Sequence, residues 1–341
     1  MKTLIPALLL LCVPAAASAL ELRHDPADAG CSEDTPQNDA AAHKWTGQLG
    51  GPNTRRAWRA LLDAGPHGCD AVAAWLQQGA PAAPDSEVAG AVLGLARSGS
   101  ADNVSVVVLA LSHPSDAVTA AALFGLRSRL PVLQPDHIDW LLAAATRTWV
   151  TAEDAPDPRT SALGLLLGRH AEGRVQYVQD GPVSVPEWVE TRTWSAPDLP
   201  DLHREALVRL LEAGDPAAAR AFAELALAMA NEEHPVASAL GPLLVPLLQR
   251  VGPDRPTAQW AAQALGRTQA DGVDAAVEAA LTQRNPPYLA PHLLNGFEDR
   301  IKQGPVDAGM AARLERLRGV VVPRSGRRAE RLRKRVEQKL R

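Results

Sequence analysis

The sequence predicts an all-α protein, an α-α superhelix of stacked helix pairs with a small β-hairpin-like insertion. Alanine and leucine, which are good helix formers, dominate the chain. Aromatic residues make up only 4 % of the 341 residues, whereas a sheet-rich protein would need more of them. Apolar residues recur at i, i+3 and i+4, which is the period of a helix. From Val88 to Val118 the pattern returns after about 30 residues, the length of one helix pair in a stacked array.

The chain divides into four predicted segments. Residues 1–19 resemble a signal peptide, residues 20–52 read as an irregular N-terminal arm, residues 53–312 carry the helix pairs, and residues 313–341 form a basic helical tail. The signal peptide has a positive start at Lys2, an apolar run from Leu4 to Val13, and small residues at Ala17 and Ala19. We therefore expect cleavage after Ala19 and a periplasmic or secreted protein without a membrane span.

Six helical units follow the arm, and most contain one apolar stripe, a turn and a second stripe. The fourth unit, residues 161–169, is a short apolar run with no clear partner helix. In the fifth unit Asp215 precedes Pro216, a pair that favours a helix start because the carboxylate caps backbone N–H groups and proline fits the first turn. Pro242 and Pro246 predict a short or kinked helix in the next segment.

The sixth unit has the most specific motif. It reads Ala-x-x-Ala-Leu-Gly over Ala261–Gly266, then Asp271-Gly272, then an apolar stripe over Val273–Leu281, and similar pieces lie at 90–111 and 205–227. These motifs resemble the HEAT-like repeat family over roughly residues 54–300. The resemblance implies an ARM-type α-solenoid that binds proteins, although a non-solenoid helical bundle remains an alternative.

Residues 171–200 depart from the helical pattern. Alternating residues over Val175–Val178 and Val183–Val185 flank an Asp-Gly pair, which predicts a β-hairpin-like insertion, although Pro182 weakens the signal. Aromatic and acidic residues in this insertion could bind a partner, or the rings could instead anchor the insertion on the helices. The candidate partner-binding residues are Tyr177, Glu187, Trp188, Glu190 and Trp194.

Removal of the signal peptide would remove Cys12 and leave Cys31 and Cys69 in an oxidising compartment. We predict a disulfide between them, which would close a loop of about 38 residues and stabilise the fold by about 4 kcal/mol in the chain-entropy approximation. The alternative is that Cys31 and Cys69 remain free thiols. Neither cysteine has a histidine at zinc-binding spacing, so no metal site is expected.

Charge is segregated along the chain. Residues 313–341 hold 12 arginines and lysines against three glutamates, and residues 20–312 hold 22 against 36. From residue 327 onward Ala329, Leu332, Val336 and Leu340 lie on one face of a short basic helix. This helix could cap the last repeat, dock on an acidic surface, or adhere to an anionic surface such as lipid. The candidate anion-binding residues are Arg327, Arg328, Arg331, Arg333, Lys334, Arg335 and Lys339.

The sequence contains no Gly-x-Ser-x-Gly, phosphate-loop or His-Glu-x-x-His motif. The leading hypothesis is therefore an exported, non-catalytic scaffold that binds a protein partner in the cell envelope, without a cofactor and without nucleic acid. The first alternative is a module that grips envelope glycan or anionic lipid through the insertion and the tail. The second alternative is an enzyme whose site follows no familiar motif.

Overall fold

Helices dominate the described chain. The computed structural model describes residues 36–80, 82–98, 101–126, 135–149, 157–180, 183–194, 199–232, 234, 236–268, 273–283, 289–321 and 323–341. The α-helices are α1 (Pro36–Thr46), α2 (Thr54–Leu62), α3 (Pro66–Gln77), α4 (Asp85–Ser98), α5 (Ala101–Leu109), α6 (Asp116–Leu126), α7 (Pro135–Thr146), α8 (Pro158–Leu166), α9 (Asp201–Glu212), α10 (Pro216–Asn231), α11 (Val236–Ala239), α12 (Gly241–Leu244), α13 (Arg255–Arg267), α14 (Asp274–Gln283), α15 (Leu289–Gln303), α16 (Ala308–Val320) and α17 (Pro323–Leu340). Two strands, β1 (Arg169–Asp180) and β2 (Val183–Trp194), lie between α8 and α9.

Aspartate side chains start several of the helices. Asp215 accepts a hydrogen bond from the backbone N–H of Ala218 at 2.7 Å and so caps α10, which confirms the predicted helix start. Asp307 caps α16 in the same way, and Asp157 accepts from the N–H of Arg159 at the start of α8. Each carboxylate satisfies a backbone donor that has no partner within its helix.

The helices pack in two rows, and each helix contacts only near neighbours. The first row runs α2, α4, α6, α8, α10, α13, α15 and α17, and each of these helices packs against the next. The second row runs from α3 to α5, continues through the 3₁₀ turn Ala110–Ser112 to α7, α9 and α12, and then runs through the 3₁₀ turn Val245–Gln249 to α14 and α16. Consecutive helices alternate between the rows, so the chain zigzags between them from α2 to α9. Among the described elements, extensive packing therefore stays local in sequence.

The apolar run at 161–169 differs from the prediction. It was expected to lack a clear partner helix, but α8 packs most extensively against α7 and also against α6 and α10. Strands β1 and β2 separate α8 from α9 along the chain, and a ring nitrogen of His203 in α9 lies 2.7 Å from the carbonyl oxygen of Leu166 in α8. Helix α10 packs against α8 and α13 and, to a smaller extent, against α9.

Proline breaks the second row after α10, as predicted. Instead of one long helix, the chain forms the four-residue helices α11 and α12 and then the 3₁₀ turn Val245–Gln249. Pro242 lies in the first turn of α12, and Pro246 lies in the first turn of the 3₁₀ segment. Proline is tolerated at these positions because backbone N–H groups in a first turn lack helical partners.

The core consists of the apolar stripes of both rows. Seven of the nine residues of helix α8 are buried, and only Arg159 and Thr160 are partly exposed, as expected for a helix that is apolar on most of its surface. Most residues of the predicted stripes are buried, and Leu202 of α9 is an exception because 36 % of its surface is exposed. The stripes therefore do face the core, and they hold the rows together by burying apolar surface.

Helices α13 and α15 cross at two glycines. A Cβ atom added to Gly266 would lie 2.0 Å from the carbonyl oxygen of Leu293, and one added to Gly296 would lie 2.1 Å from the carbonyl oxygen of Gln263. Such distances are far below van der Waals contact, so only glycine allows the two backbones to approach this closely. Gly266 is the last residue of the motif Ala261–Gly266, and its role is therefore to admit the neighbouring helix.

The N-terminal arm requires a correction. Residues 20–52 were predicted to be irregular, but Pro36–Thr46 form α1, which packs against α2 and α3. The helix is weakly amphipathic: of its apolar residues Ala42 is buried, while Ala41 and Trp45 are partly buried. A helix with so little apolar periodicity gives no stripe for sequence reasoning to detect. The predicted signal peptide, residues 1–19, lies outside the described residues.

Candidate functional site

The segment between α8 and α9 forms a two-stranded antiparallel sheet. Strands β1 and β2 are each 12 residues long and pair in register along their whole length, from Arg169 opposite Trp194 to Asp180 opposite Val183. Twelve residues of strand extend over about 40 Å. Among the described elements only α8 packs extensively against the sheet, through β1.

The register places most of the candidate partner-binding residues on one face of the sheet. Tyr177 pairs with Pro186, Val175 with Trp188, and Gly173 with Glu190. Directly opposed residues share a face, and every second residue returns to it. Tyr177, Trp188, Glu190 and Trp194 therefore belong to one face, and Glu187, which pairs with Gln176, belongs to the other. The sequence identified these residues but not their division between two faces.

The basic C-terminal segment is part of the helical array. The predicted boundary at residue 313 falls inside α16, and α17 begins at Pro323 and packs against both α15 and α16. Of the predicted apolar face, Ala329, Leu332 and Val336 are buried, whereas Leu340 is 47 % exposed. Helix α17 therefore covers the end of the first row.

Many of the basic side chains of this segment bind carboxylates of the protein itself. Arg313 lies 2.7 Å from Asp274 of α14, and Arg328 lies 2.5 Å from Glu298 of α15. Four more of the predicted cations form ion pairs or hydrogen bonds within the protein. They are Arg333 with Glu315, Glu330 and Glu337, Lys334 with Glu330, Arg335 with Glu298, and Lys339 with the carbonyl oxygen of Ile301. These contacts join the basic segment to the acidic helices before it.

The ion pairs shift the pKa of the carboxylates that receive them. A hydrogen bond from Arg333, with further help from Arg318 and Lys334, lowers the pKa of Glu330 to about 2. Hydrogen bonds from Arg328 and Lys302 lower the pKa of Glu298. Both glutamates are therefore ionised throughout the physiological pH range and hold α17 in place by charge.

Two of the predicted anion-binding residues differ from the rest. Arg327 and Arg331 are exposed, and neither has an ion-pair partner within the described part of the chain. Arg324 is likewise exposed and has no ion-pair partner among the described residues. It was not predicted from the sequence because the helix was expected to begin only at residue 327. The proline at position 323 was the signal for the earlier start, since proline favours the first helical position.

Of the predicted disulfide, only one cysteine can be placed. Cys69 is fully buried in α3, and Cys31 lies outside the described residues. The pairing of Cys31 with Cys69 therefore remains a prediction.

Two histidines have perturbed pKa values. Burial lowers the pKa of His292 in α15, and the nearby charge of Arg255 lowers it further. Burial also lowers the pKa of His234, and the negative charge of Glu232 offsets part of that decrease. The described residues contain no group of three histidine, cysteine or acidic side chains placed to hold a metal ion. Nor does the described part of the chain contain a helix that is both long and apolar enough to cross a membrane.

Comparison of the chain with protein-family models and with curated proteins gave no match.

Proposed function

We propose that the protein is an exported α-solenoid of HEAT-like helix pairs that acts as a non-catalytic scaffold and binds a protein partner. The observation that carries this proposal is the packing pattern, in which extensive contacts among the described helices join near neighbours within two rows. Arrays of this kind leave long surfaces on both sides of the rows, and proteins built this way use those surfaces for binding.

The β1–β2 hairpin is the proposed contact region. It lies between α8 and α9 along the chain, and among the described elements α8 is the main helix that contacts it. The face that carries Tyr177, Trp188 and Trp194 combines aromatic residues with Glu190, a composition that favours binding because rigid rings offer large contact areas.

The test compares two forms of the purified protein as bait in an envelope extract. One form carries the native hairpin, and the other has residues 171–192 replaced by a short Gly-Ser turn that preserves the ends of both strands. We expect the native form to capture a protein that then forms a stoichiometric complex when both components are purified. The shortened form should not capture it, although it should retain the helical circular dichroism and melting temperature of the native form.

Point variants refine this test. Trp188→Ala and Tyr177→Ala alter the aromatic face, and Glu187→Ala alters the opposite face and serves as the matched control. Weakened binding in the first two variants with native binding in the third would support the proposed contact face. Equal binding by all forms, including the shortened one, would contradict a role for the hairpin.

A further inference from the structure

A groove lies beside the turn that joins α16 to α17. Its volume is about 780 Å³ and it is open to solvent. Arginine dominates its lining, which consists of Arg318, Arg324, Gly326, Arg327, Glu330 and Arg331. The groove is distinct from the hairpin, and its chemistry differs from that expected for the proposed scaffold contact.

Three of the arginines form a stripe on α17. Arg324, Arg327 and Arg331 follow one another at i, i+3 and i+7, a spacing that places them on one face of the helix over about 10 Å. All three are exposed and lack ion-pair partners among the described residues. The opposite face of the helix is the buried one, with Ala329, Leu332 and Val336.

The pairing of the neighbouring cations makes this stripe unusual. Arg328 and Arg335 pair with Glu298, and Arg333 and Lys334 pair with Glu330. Carboxylates of the protein therefore neutralise nearby basic residues of the same helix. Carboxylates are present in this region, and yet the stripe has none as a partner in the part of the chain that the structure describes. Of the groove-lining cations Arg318 is paired with Glu330, whereas Arg324, Arg327 and Arg331 remain available to another anion.

The single carboxylate in the lining does not cancel this charge. Glu330 lies 2.9 Å from Arg333 and 3.1 Å from Arg318, so it is already compensated by cations around it. The first turn of the 18-residue helix α17 also contributes Arg324 and Gly326 to the groove, and the N-terminal end of a helix carries partial positive charge. The groove therefore has a net positive potential from two sources.

Guanidinium groups narrow the ligand to an oxyanion. The planar fork of arginine matches the oxygens of a phosphate group, with which it forms paired, charge-assisted hydrogen bonds. Three forks spread over about 10 Å exceed what one phosphate can occupy, so they suit a ligand that carries several phosphates close together.

We propose that the groove between α16 and α17 binds a ligand that carries two or more phosphate groups. Arg324, Arg327 and Arg331 supply the principal contacts, and Arg318 closes one side. The ligand is either a soluble phosphorylated compound or the phosphate headgroups of a membrane surface, and the chemistry of recognition is the same for both.

The first experiment uses inorganic tripolyphosphate and isothermal titration calorimetry on the purified chain. The test variant carries Arg324→Gln, Arg327→Gln and Arg331→Gln together. The control carries Arg55→Gln, Arg56→Gln and Arg59→Gln on α2, which remove the same charge from another group of exposed arginines. We expect the groove variant to bind about tenfold more weakly or worse, because it loses several charge-assisted hydrogen bonds, and the control to bind like the native protein.

The second experiment separates the sources of phosphate. Vesicles of neutral phosphatidylcholine, with and without phosphatidate, are sedimented with the native protein and both variants. Binding to phosphatidate vesicles that disappears in the groove variant alone would support the proposal and identify a membrane source, whereas groove-dependent binding to tripolyphosphate alone would support it with a soluble source.

Two results would overturn the proposal. An equal loss of binding in the groove variant and the control would show attraction by overall charge and not by the groove. Unchanged binding in the groove variant, or no binding of the native protein to either probe, would show that the stripe does not recognise phosphate. Thermal unfolding checks the fold, and because the three arginines are exposed it should be unchanged.

Discussion

At the scale of single residues, Arg267 joins three helices. Its guanidinium is nearly fully buried and donates to the carbonyl oxygens of Ala230 and Asn231, at the end of α10, and to the side chain of Gln303 in α15. Helix ends leave backbone carbonyls without partners, and a cation there is favourable. Arg267 therefore connects α10, α13 and α15 by hydrogen bonds as well as by packing.

Substitution of Arg267 should be costly. We expect Arg267→Met to lower the free energy of unfolding by about 3 kcal/mol, because the apolar stem is kept while the buried carbonyls lose their donors. Arg209→Met is the matched control, since Arg209 is 55 % exposed and pairs with Asp139 at the surface. The control should cost no more than about 1 kcal/mol. Denaturant unfolding measures both, and equal costs would refute this role of Arg267.

The lowered pKa of Glu330 predicts that the stability of the folded protein depends on pH. The pKa of Glu330 in the folded protein is about 2, lowered from an ordinary value of 4.5, so the folded state binds protons less readily than the unfolded state. The stabilising contribution of Glu330 is therefore complete above pH 4.5 and is lost as the pH falls toward 2.

The variant Glu330→Gln tests this dependence. It should be less stable than the native protein at pH 7, and the difference should shrink between pH 4.5 and pH 2. Glu205→Gln, which alters an exposed carboxylate on α9, is the control and should change the stability at pH 7 by no more than about 0.5 kcal/mol. Chemical unfolding at several pH values gives both profiles. A difference that stays constant down to pH 2 would contradict the assignment.

At the scale of helices, the close crossing of α13 and α15 makes a strong prediction. Gly266→Ala should destabilise the protein by about 2 kcal/mol or more, because the new methyl group would meet the Leu293 backbone and force the helices apart. Gly319→Ala in α16 is the control, since nothing lies within 4 Å of the added Cβ atom. That change should be neutral or slightly stabilising. Thermal unfolding distinguishes them, and similar behaviour of the two variants would contradict the crossing.

Deletion of helix α17 and deletion of the hairpin should differ in their effect on the stability of the protein. Removal of residues 323–341 should lower the melting temperature by more than about 5 °C, because it uncovers the apolar surface that Leu332 and Val336 protect. Replacement of residues 171–192 by a short turn should change it little, since among the described elements only α8 packs extensively against the sheet. A chain that tolerates loss of α17 would show that this helix is an appendage.

The elements themselves were largely predictable from the sequence, and their pairing was less so. The stripes at Val88 and Val118, the cap at Asp215 and the breaks at Pro242 and Pro246 all depend on local chemistry, which the sequence records directly. The packing of α8 against α7 and α10 depends on tertiary contacts, and the face on which Trp188 lies depends on strand register. Both features depend on residues that are distant in the sequence, so periodicity alone could not reveal them.

The groove arginines were predicted only in part for a related reason. A run of basic residues shows that charge is present, but it does not show which cations are neutralised by distant carboxylates. Arg328 and Arg331 look alike in the sequence, yet only Arg328 meets Glu298, which lies 30 residues earlier in the chain. The helix α15 was not predicted as a separate element, although Leu289, Leu293, Phe297 and Ile301 recur at a spacing of four residues.

At the scale of the whole molecule, packing restricted to neighbours predicts an elongated particle. Helices in contact lie about 9 Å apart, so the seven steps of the first row extend over about 65 Å. A compact protein of this length would have a radius of gyration of about 20 Å, and we expect a value near 25 Å from small-angle X-ray scattering. A radius of 20 Å with a globular profile would favour the closed helical bundle over the solenoid.

The position of the hairpin has a practical consequence. The first residue of β1 and the last residue of β2 lie side by side, with Arg169 opposite Trp194, so the two ends of the hairpin are close together. Any segment whose ends lie about 5 Å apart can occupy that position without moving α8 or α9. The site is therefore a natural graft point, where a foreign binding loop or a small domain can be exchanged for the hairpin while the helices keep their arrangement.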